Sequence, residues 1–511
     1  MSAFAVGLLE TRARRLALWV AAAVMLTAVA GALVSYAPTQ PQLARAGLLS
    51  LAVAALLLLA MRLPVSVLPL AVVVGLLGLG NMELSRIVPL PVLGGQEKWV
   101  LLLLVGVAAL GAALDASVPS RPAWPAALLL GALFLGICSA SLVYALDRSL
   151  AVKALEHQVV QMVALAAGFF WIRRVREARA LVVCLAAAGA VSAALGVWQF
   201  LAPGAFNGLF GALVNADTRH LMDYWAFDVG RVGALWASAP PFAAFLSALL
   251  PAFLYLWLGR RTGLMAWCTA VGFIVATIAL VLTGARMEFV GGVVGVLVML
   301  AAWGVRPKKL GRARSGALPA LVGAVVLATV LSSQGSGQGN AVERLFGLFG
   351  EEARTSESVG NRLAIYGTLA ETWQSNPLLG AGLGNSRNAI EQATTYNTSP
   401  HSYWLGLLAE TGLIGTGLVV LALAAMIPHY RRLLRGSPGS AKRAFSSFAL
   451  AASAALLVGS LFDNATLVWQ MGALFWLLQG AVLSLSLRAE DDLDADIDAT
   501  GPSGAEAARA G

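Results

Sequence analysis

The fold class that these 511 residues predict is an all-α polytopic membrane protein, and three observations predict it. The chain is 59% hydrophobic and only 12% charged, with a mean hydropathy of +0.79, whereas a soluble domain is about half apolar and about a quarter charged. Long Leu/Ala/Val runs recur along almost the whole length, with 53 glycines and 14 tryptophans. That composition suits helices that approach closely in lipid and meet its interface through aromatic belts. The net charge of +9 is gathered in clusters between the apolar runs. Its placement makes it a topology signal and not a nucleic-acid footprint, and a soluble enzyme with one anchor is excluded.

A spanning helix needs about 20 mostly apolar residues, and fourteen stretches meet that rule. They lie near 16–36, 43–61, 63–82, 98–115, 123–145, 149–172, 180–201, 234–258, 263–283, 287–304, 317–333, 403–427, 445–463 and 466–487. The pairs split only by Arg62-Leu63-Pro64 and by Gly284-Ala285-Arg286 are the least divided, so the expected number is about 14 within a range of 12 to 14. With the N-terminus inside, 22 of the 35 basic residues fall in the short segments on one side, from Arg12, Arg14 and Arg15 to Arg488. This is the positive-inside pattern, and it sets both termini in the cytoplasm. The first apolar run is too long for a signal peptide and is retained. Cys138, Cys184 and Cys268 sit inside apolar runs and read as small hydrophobes.

The domain organisation follows in order. Residues 1–233 form an N-terminal transmembrane bundle with an external loop at 202–233. Residues 234–333 are central transmembrane helices, 334–402 a large external loop, 403–488 the C-terminal helices, and 489–511 a disordered acidic tail. In the large loop, Asn361 to Gln374 reads as a helix with apolar Leu363, Ile365, Tyr366, Leu369 and Trp373, ended by Ser375-Asn376-Pro377. A loop of that length with its own helix is usually functional.

Against the positive-inside trend, the external side carries Arg219, Arg231, Arg286, Arg344, Arg354, Arg362 and Arg387. Arginine presents a planar fork that fits phosphate oxygens, so the set points to an anion, although any one of them could equally pair with a loop carboxylate. Arg286 and Arg231 stand out because each lies at the external mouth of a span, where an unpaired charge is expensive. His401 follows Pro400 and directly precedes the span at 403–427. It is either a general base for an external reaction or a structural residue at a helix start. His157 lies in a span, His429 reads as an ordinary surface residue of the basic side, and His220 in the first external loop stays open. The stretch Gly380-Ala-Gly382-Leu-Gly384-Asn385 either exposes N–H groups to a phosphate or is a flexible turn.

These residues carry a resemblance. Asn361-Arg362 with its helix, Asn376-Pro377-Leu378-Leu379-Gly380-Ala381-Gly382-Leu383-Gly384, His401-Ser402-Tyr403-Trp404-Leu405 and Ala409-Glu410-Thr411-Gly412-Leu413-Ile414-Gly415 resemble the core signature of the O-antigen ligase and polymerase superfamily. Thr283-Gly284-Ala285-Arg286 is similar to that family's Ser-Arg element, and Arg231-Val-Gly233 to its Arg-x-Gly element, so the likeness covers about 230–430. Ser402 and Ala285 depart from the Asn and Ser often found there.

The resemblance implies a GT-C-type bundle with short helices in its large external loop. It implies a metal-independent inverting glycosyltransferase without cofactor, at the periplasmic face of a bacterial inner membrane. The donor it implies is an undecaprenyl-diphosphate-linked glycan, and the acceptor lipid A-core or another glycan. On that pattern Arg231 and Arg286 hold the diphosphate, with Arg362, Arg219, Gly382 and Gly384 as further binding residues, and His401 is the base that activates the acceptor hydroxyl. Arg231, Arg286 and His401 are expected to converge on one cavity. A repeat-unit polymerase is the alternative within the family, favoured by the ten-residue spacing from Arg219 to Gly230 and by the span count. A transporter or flippase of lipid-linked sugars is the alternative of another class, but it needs ionisable groups at the bilayer midplane. Lys153, Glu156 and His157 lie instead in the first turns of their span.

Overall fold

A computed structural model of the chain describes residues 125–211, 216–228, 230–236, 238–259, 264–303, 357–393, 400–437, 440–463 and 468–488, with a few positions at 73–77 and 104–106. The expected spans at 16–36, 43–61 and 317–333, nearly all of those at 63–82 and 98–115, Arg344, Arg354 and the acidic tail lie outside the described residues. Among the described residues there is no strand. The chain is an all-α polytopic membrane protein, as its composition dictates.

In chain order the helices are α1 Ala126–Ser141, α2 Arg148–Trp171, α3 Val175–Leu201, α4 Pro203–Phe210, α5 Ala216–Asp223, α6 Ala239–Leu258, α7 Leu264–Leu282 and α8 Arg286–Trp303. After them come α9 Glu357–Ser375, α10 Ser386–Ala393, α11 Tyr403–Leu434, α12 Ala441–Phe462 and α13 Trp469–Leu487. Among them α3, α6, α8, α11, α12 and α13 are the six long and apolar enough to cross a membrane. The expected span at 123–145 is shorter than its apolar run, ending at Ser141, where the Ser141 hydroxyl bonds back to the Cys138 carbonyl. Asp147 starts α2 by accepting from the N–H groups of Ser149 and Leu150, a side-chain cap for two otherwise orphaned donors. The narrow split at Gly284-Ala285-Arg286 does separate two helices, with Gly284 at φ +60°.

The described residues fall into two compact units. The first holds residues 183–292 and the second residues 125–182, 293–303 and 357–488. In the first, α6 is apolar all round and almost wholly buried, with Phe242, Phe245, Leu246 and Leu249 in the core. Its neighbours approach at Gly196 against Phe242 and Gly272 against Phe253.

The second unit is held by close helix contact. A Cβ on Gly480 would strike the Leu165 carbonyl, and one on Gly168 the Leu477 carbonyl, so α2 and α13 touch backbone to backbone. Small residues permit such contact in lipid, where no hydrophobic force drives helices together. Polar ties add to it. The Tyr430 hydroxyl donates to Gln479 Oε1, and the Gln479 amide donates to Ser453 at 2.7 Å, joining α11, α13 and α12. His429, expected as an ordinary surface residue, is half-buried, and its Nδ1 meets the Ser486 hydroxyl at 2.7 Å. Cys138 and Cys184 are buried and Cys268 is exposed, all as free thiols.

Candidate functional site

The first unit carries the arginines. Gly230 turns the chain at φ +64° into Arg231. The N–H of Arg231 donates to the Trp225 carbonyl at 2.8 Å, and its guanidinium lies 4.8 Å from the centre of the Trp225 ring. Trp225 belongs to a short π-helix, Tyr224–Asp228, that follows α5. Beyond Arg231, the N–H groups of Gly233 and Ala234 both donate to Gln199 Oε1, at 3.0 and 2.7 Å. The Gln199 amide donates to Asn207 and that of Asn207 to Asp223, so α3, α4 and α5 together fix the segment. Arg231 Nε then reaches the Thr283 carbonyl, in the turn that leads into Arg286 at the start of α8. Two arginines separated by 55 positions are thereby brought to one turn, and both stay half-buried. Stacking on Trp225 and the Nε contact to the Thr283 carbonyl hold the Arg231 guanidinium in a fixed orientation. Arg219 instead lies exposed over Gly211 on α5, and His220 beside it is exposed too.

The second unit carries His401. A core of Ile365, Leu369, Ile390 and Ala409 joins α9, α10 and the first turns of α11, with Tyr366 and Leu405 packed against it. The expected helix at 361–374 is α9, one turn longer at its start. Ser402 caps α11 and His401 precedes it at φ +50°, with the Tyr366 hydroxyl donating to the His401 carbonyl at 3.0 Å. The Nδ1 atom of His401 is buried and has no hydrogen-bond partner among the described residues. Burial holds the imidazole below its ordinary value of 6.5; the nearby Asp463 carboxylate opposes that shift and the Arg362 guanidinium adds to it. Arg362 Nη1 donates to the Phe462 carbonyl at 3.4 Å, next to Asp463, which closes α12. His401, Arg362, Tyr366 and Asp463 thus form one constellation around an imidazole whose neutral form burial favours. Asp463 was missed from sequence: its only signal is an acid standing at a span end 62 positions beyond His401.

The glycine-rich stretch requires a correction. Gly382 N–H donates to the Glu410 carbonyl at 3.0 Å, Ala381 N–H to the Ala409 carbonyl at 2.8 Å and Leu383 N–H to the Ser141 hydroxyl at 3.1 Å. The Gly384 and Ser386 N–H groups and the Ser386 hydroxyl all reach the buried Glu410 carboxylate. These donors are spent inside the protein, so Gly382 and Gly384 pack the loop onto α11 and do not cradle a phosphate. Gly380, Gly382 and Gly384 all have positive φ, and a Cβ at each would meet Glu410, Asn385 and Leu150 respectively. The Glu410 carboxylate is likewise committed to this clasp. Among the described residues no group of three His, Cys, Asp or Glu side chains comes together to hold a metal.

Residues 271–420 match the family model described as O-antigen ligase. That stretch takes in Arg286, Arg362, His401 and Glu410 and leaves out Arg219 and Arg231. No curated protein matches the chain. The match supports the O-antigen ligase and polymerase superfamily, and with the apolar helices it fits a multi-pass membrane protein whose partners are the bilayer and lipid-linked glycans.

Proposed function

We propose that this protein is a membrane glycosyltransferase that moves a glycan from an undecaprenyl-diphosphate carrier to an acceptor hydroxyl at the periplasmic face of a bacterial inner membrane, as in O-antigen ligation to lipid A-core. The observation that carries the reading is that one matched stretch, 271–420, holds both the Arg286 turn and His401 with its Arg362. The arginines and the base serve one reaction. The acceptor oxygen attacks the anomeric carbon from the side opposite the diphosphate while His401 takes its proton. The bond from that carbon to the carrier oxygen breaks, and its electron pair stays on the diphosphate. Arg231 and Arg286 meet the charge that develops there, which is the largest single contribution such a site can make. Asp463 steadies the imidazolium that results, and Tyr366 fixes the backbone of the base. A base that is neutral at pH 7 suits this step.

The test is to incubate the purified protein in nanodiscs with a lipid-linked oligosaccharide and a choice of acceptors, then identify products by mass. Transfer to lipid A-core supports ligation. A ladder grown from lipid-linked repeat units alone assigns polymerisation, and movement of the lipid-linked sugar across the bilayer without a new glycosidic bond overturns the reading.

A further inference from the structure

The turn that follows α9 combines two features that a water-facing turn does not need together. Its side chains face outward, with Leu378 58% and Leu379 40% exposed, and beside them lie exposed Leu413, Ile414 and Tyr144. Yet its three successive carbonyls are all satisfied from within the protein. Pro377 O accepts from the Leu413 N–H and the Trp373 indole, Leu378 O from the Ile414 N–H, and Leu379 O from the Tyr144 hydroxyl. This pairing is possible because α11 is broken at Gly412, at φ +63° and ψ −165°, which frees the N–H groups of Leu413 and Ile414. Irregular backbone at membrane depth persists only when its polar groups find partners in the protein, since lipid supplies none.

The depth of the break follows from α11 itself. Arg431 and Arg432 mark its basic end, and the 19 residues from there back to Gly412 span roughly 30 Å at 1.5 Å each, the thickness of the hydrocarbon core. The patch is continuous with the lipid-facing stripe of the same helix, where Val420 and Leu421 are also exposed. Trp373 and Tyr144, which donate into the turn, are the residue types that settle at a bilayer interface.

We propose that the Pro377–Leu379 turn is seated among the phospholipid acyl chains of the leaflet opposite the basic helix ends, as a lipid-inserted lip formed with Tyr144, Leu413 and Ile414. On the sidedness proposed above this is the outer leaflet. The lip pins the end of α9 at the lipid surface, and α9 carries Arg362 and Tyr366. The inference rests on the span of α11 and on that sidedness, not on glycosyl transfer, so the two fail separately.

The experiment uses spin labels in proteoliposomes of phosphatidylethanolamine and phosphatidylglycerol, with the three native cysteines replaced by alanine. Labels at Leu378→Cys or Leu379→Cys are expected to relax more with oxygen than with a water-soluble nickel chelate, as at Val420→Cys, while Gln392→Cys on α10 shows the reverse. Ready access of nickel to 378 and 379 overturns the proposal, and so does poor access of both reagents, which would mean that a second copy or another protein surface covers the patch. Hydroxyl-radical footprinting of the unmodified chain in the same liposomes guards against a cysteine-free chain that folds poorly. The Leu378-Leu379 peptide is expected to stay unoxidised while exposed Leu363 on α9 reacts, and equal oxidation of the two overturns the proposal.

Discussion

His401 is held below its ordinary value by burial and Arg362 against the pull of Asp463, and that balance has signs that can be measured. Transfer needs the neutral imidazole, so the rate should fall only as pH drops through a value below 6.5. Asp463→Asn removes the group that raises the value, so the acid limb of the pH profile should move to lower pH, with a smaller plateau. Arg362→Gln removes a group that lowers it, so the limb should move up; unchanged limbs in both variants would detach these residues from the base. His401→Ala should spare carrier binding and cut transfer by about 10²–10⁴-fold, measured by single-turnover product formation. Arg286→Lys keeps the charge and loses the fork, so both carrier binding and turnover should weaken, by about 2–4 kcal/mol if a charge-stabilising donor is lost. Arg231, Arg286 and His401 stand out in the sequence because each breaks the apolar pattern at a span end. Asp463 does the same, but nothing in the sequence ties it to His401.

At the scale of elements, the paired break of α11 and the turn after α9 is the least legible feature and the most constrained. Thr411-Gly412-Leu413 sits in an apolar run whose periodicity reads as one helix, and its partners lie some 30 residues upstream. The three glycines of 380–384 look the same in sequence whether they bind a phosphate or press against two neighbouring segments; only the acceptors of their N–H groups decide. By contrast α9 was legible from its apolar spacing and the stop at Pro377, and the gap between α7 and α8 from three consecutive residues. Gly412→Ala places a side chain at positive φ against the Leu378 backbone, so it should cost at least about 1–3 kcal/mol and lower the thermal midpoint in detergent. Gly417→Ala, in the same helix with nothing near a new Cβ, should leave the midpoint unchanged or raise it slightly. Equal midpoints for the two variants would mean that the break is not a fixed part of the fold.

For the whole molecule, apolar runs reveal spans but not which spans share a unit. Residues 183–292 form one unit, while the second joins 125–182 to 357–488 across that gap. Hydropathy carries no term for such long-range pairing; it is set by glycine contacts such as Gly168 with Leu477 and Gly480 with Leu165, which no local pattern announces. What the charge pattern does carry is sidedness. Arg173 and Arg174 beyond α2, Arg431, Arg432 and Arg435 at the end of α11, Lys442 and Arg443 at the start of α12, and Arg488 after α13 are mutually consistent if these ends share one face. In the second unit itself, Lys442 Nζ donates to the Arg488 carbonyl at 3.3 Å, joining two of those ends. The face opposite them then carries His401 and Arg362, and the expected orientation puts it outside. In a cysteine-free background, Gln392→Cys should react with an impermeant maleimide added to intact spheroplasts, and Ser437→Cys should react only after lysis. Both positions are exposed, so reactivity reports sidedness and not burial. Labelling of Ser437→Cys from outside, with Gln392→Cys protected until lysis, would invert the orientation and move the proposed transfer to the cytoplasmic face, where an undecaprenyl-diphosphate glycan already flipped outward could not be the donor.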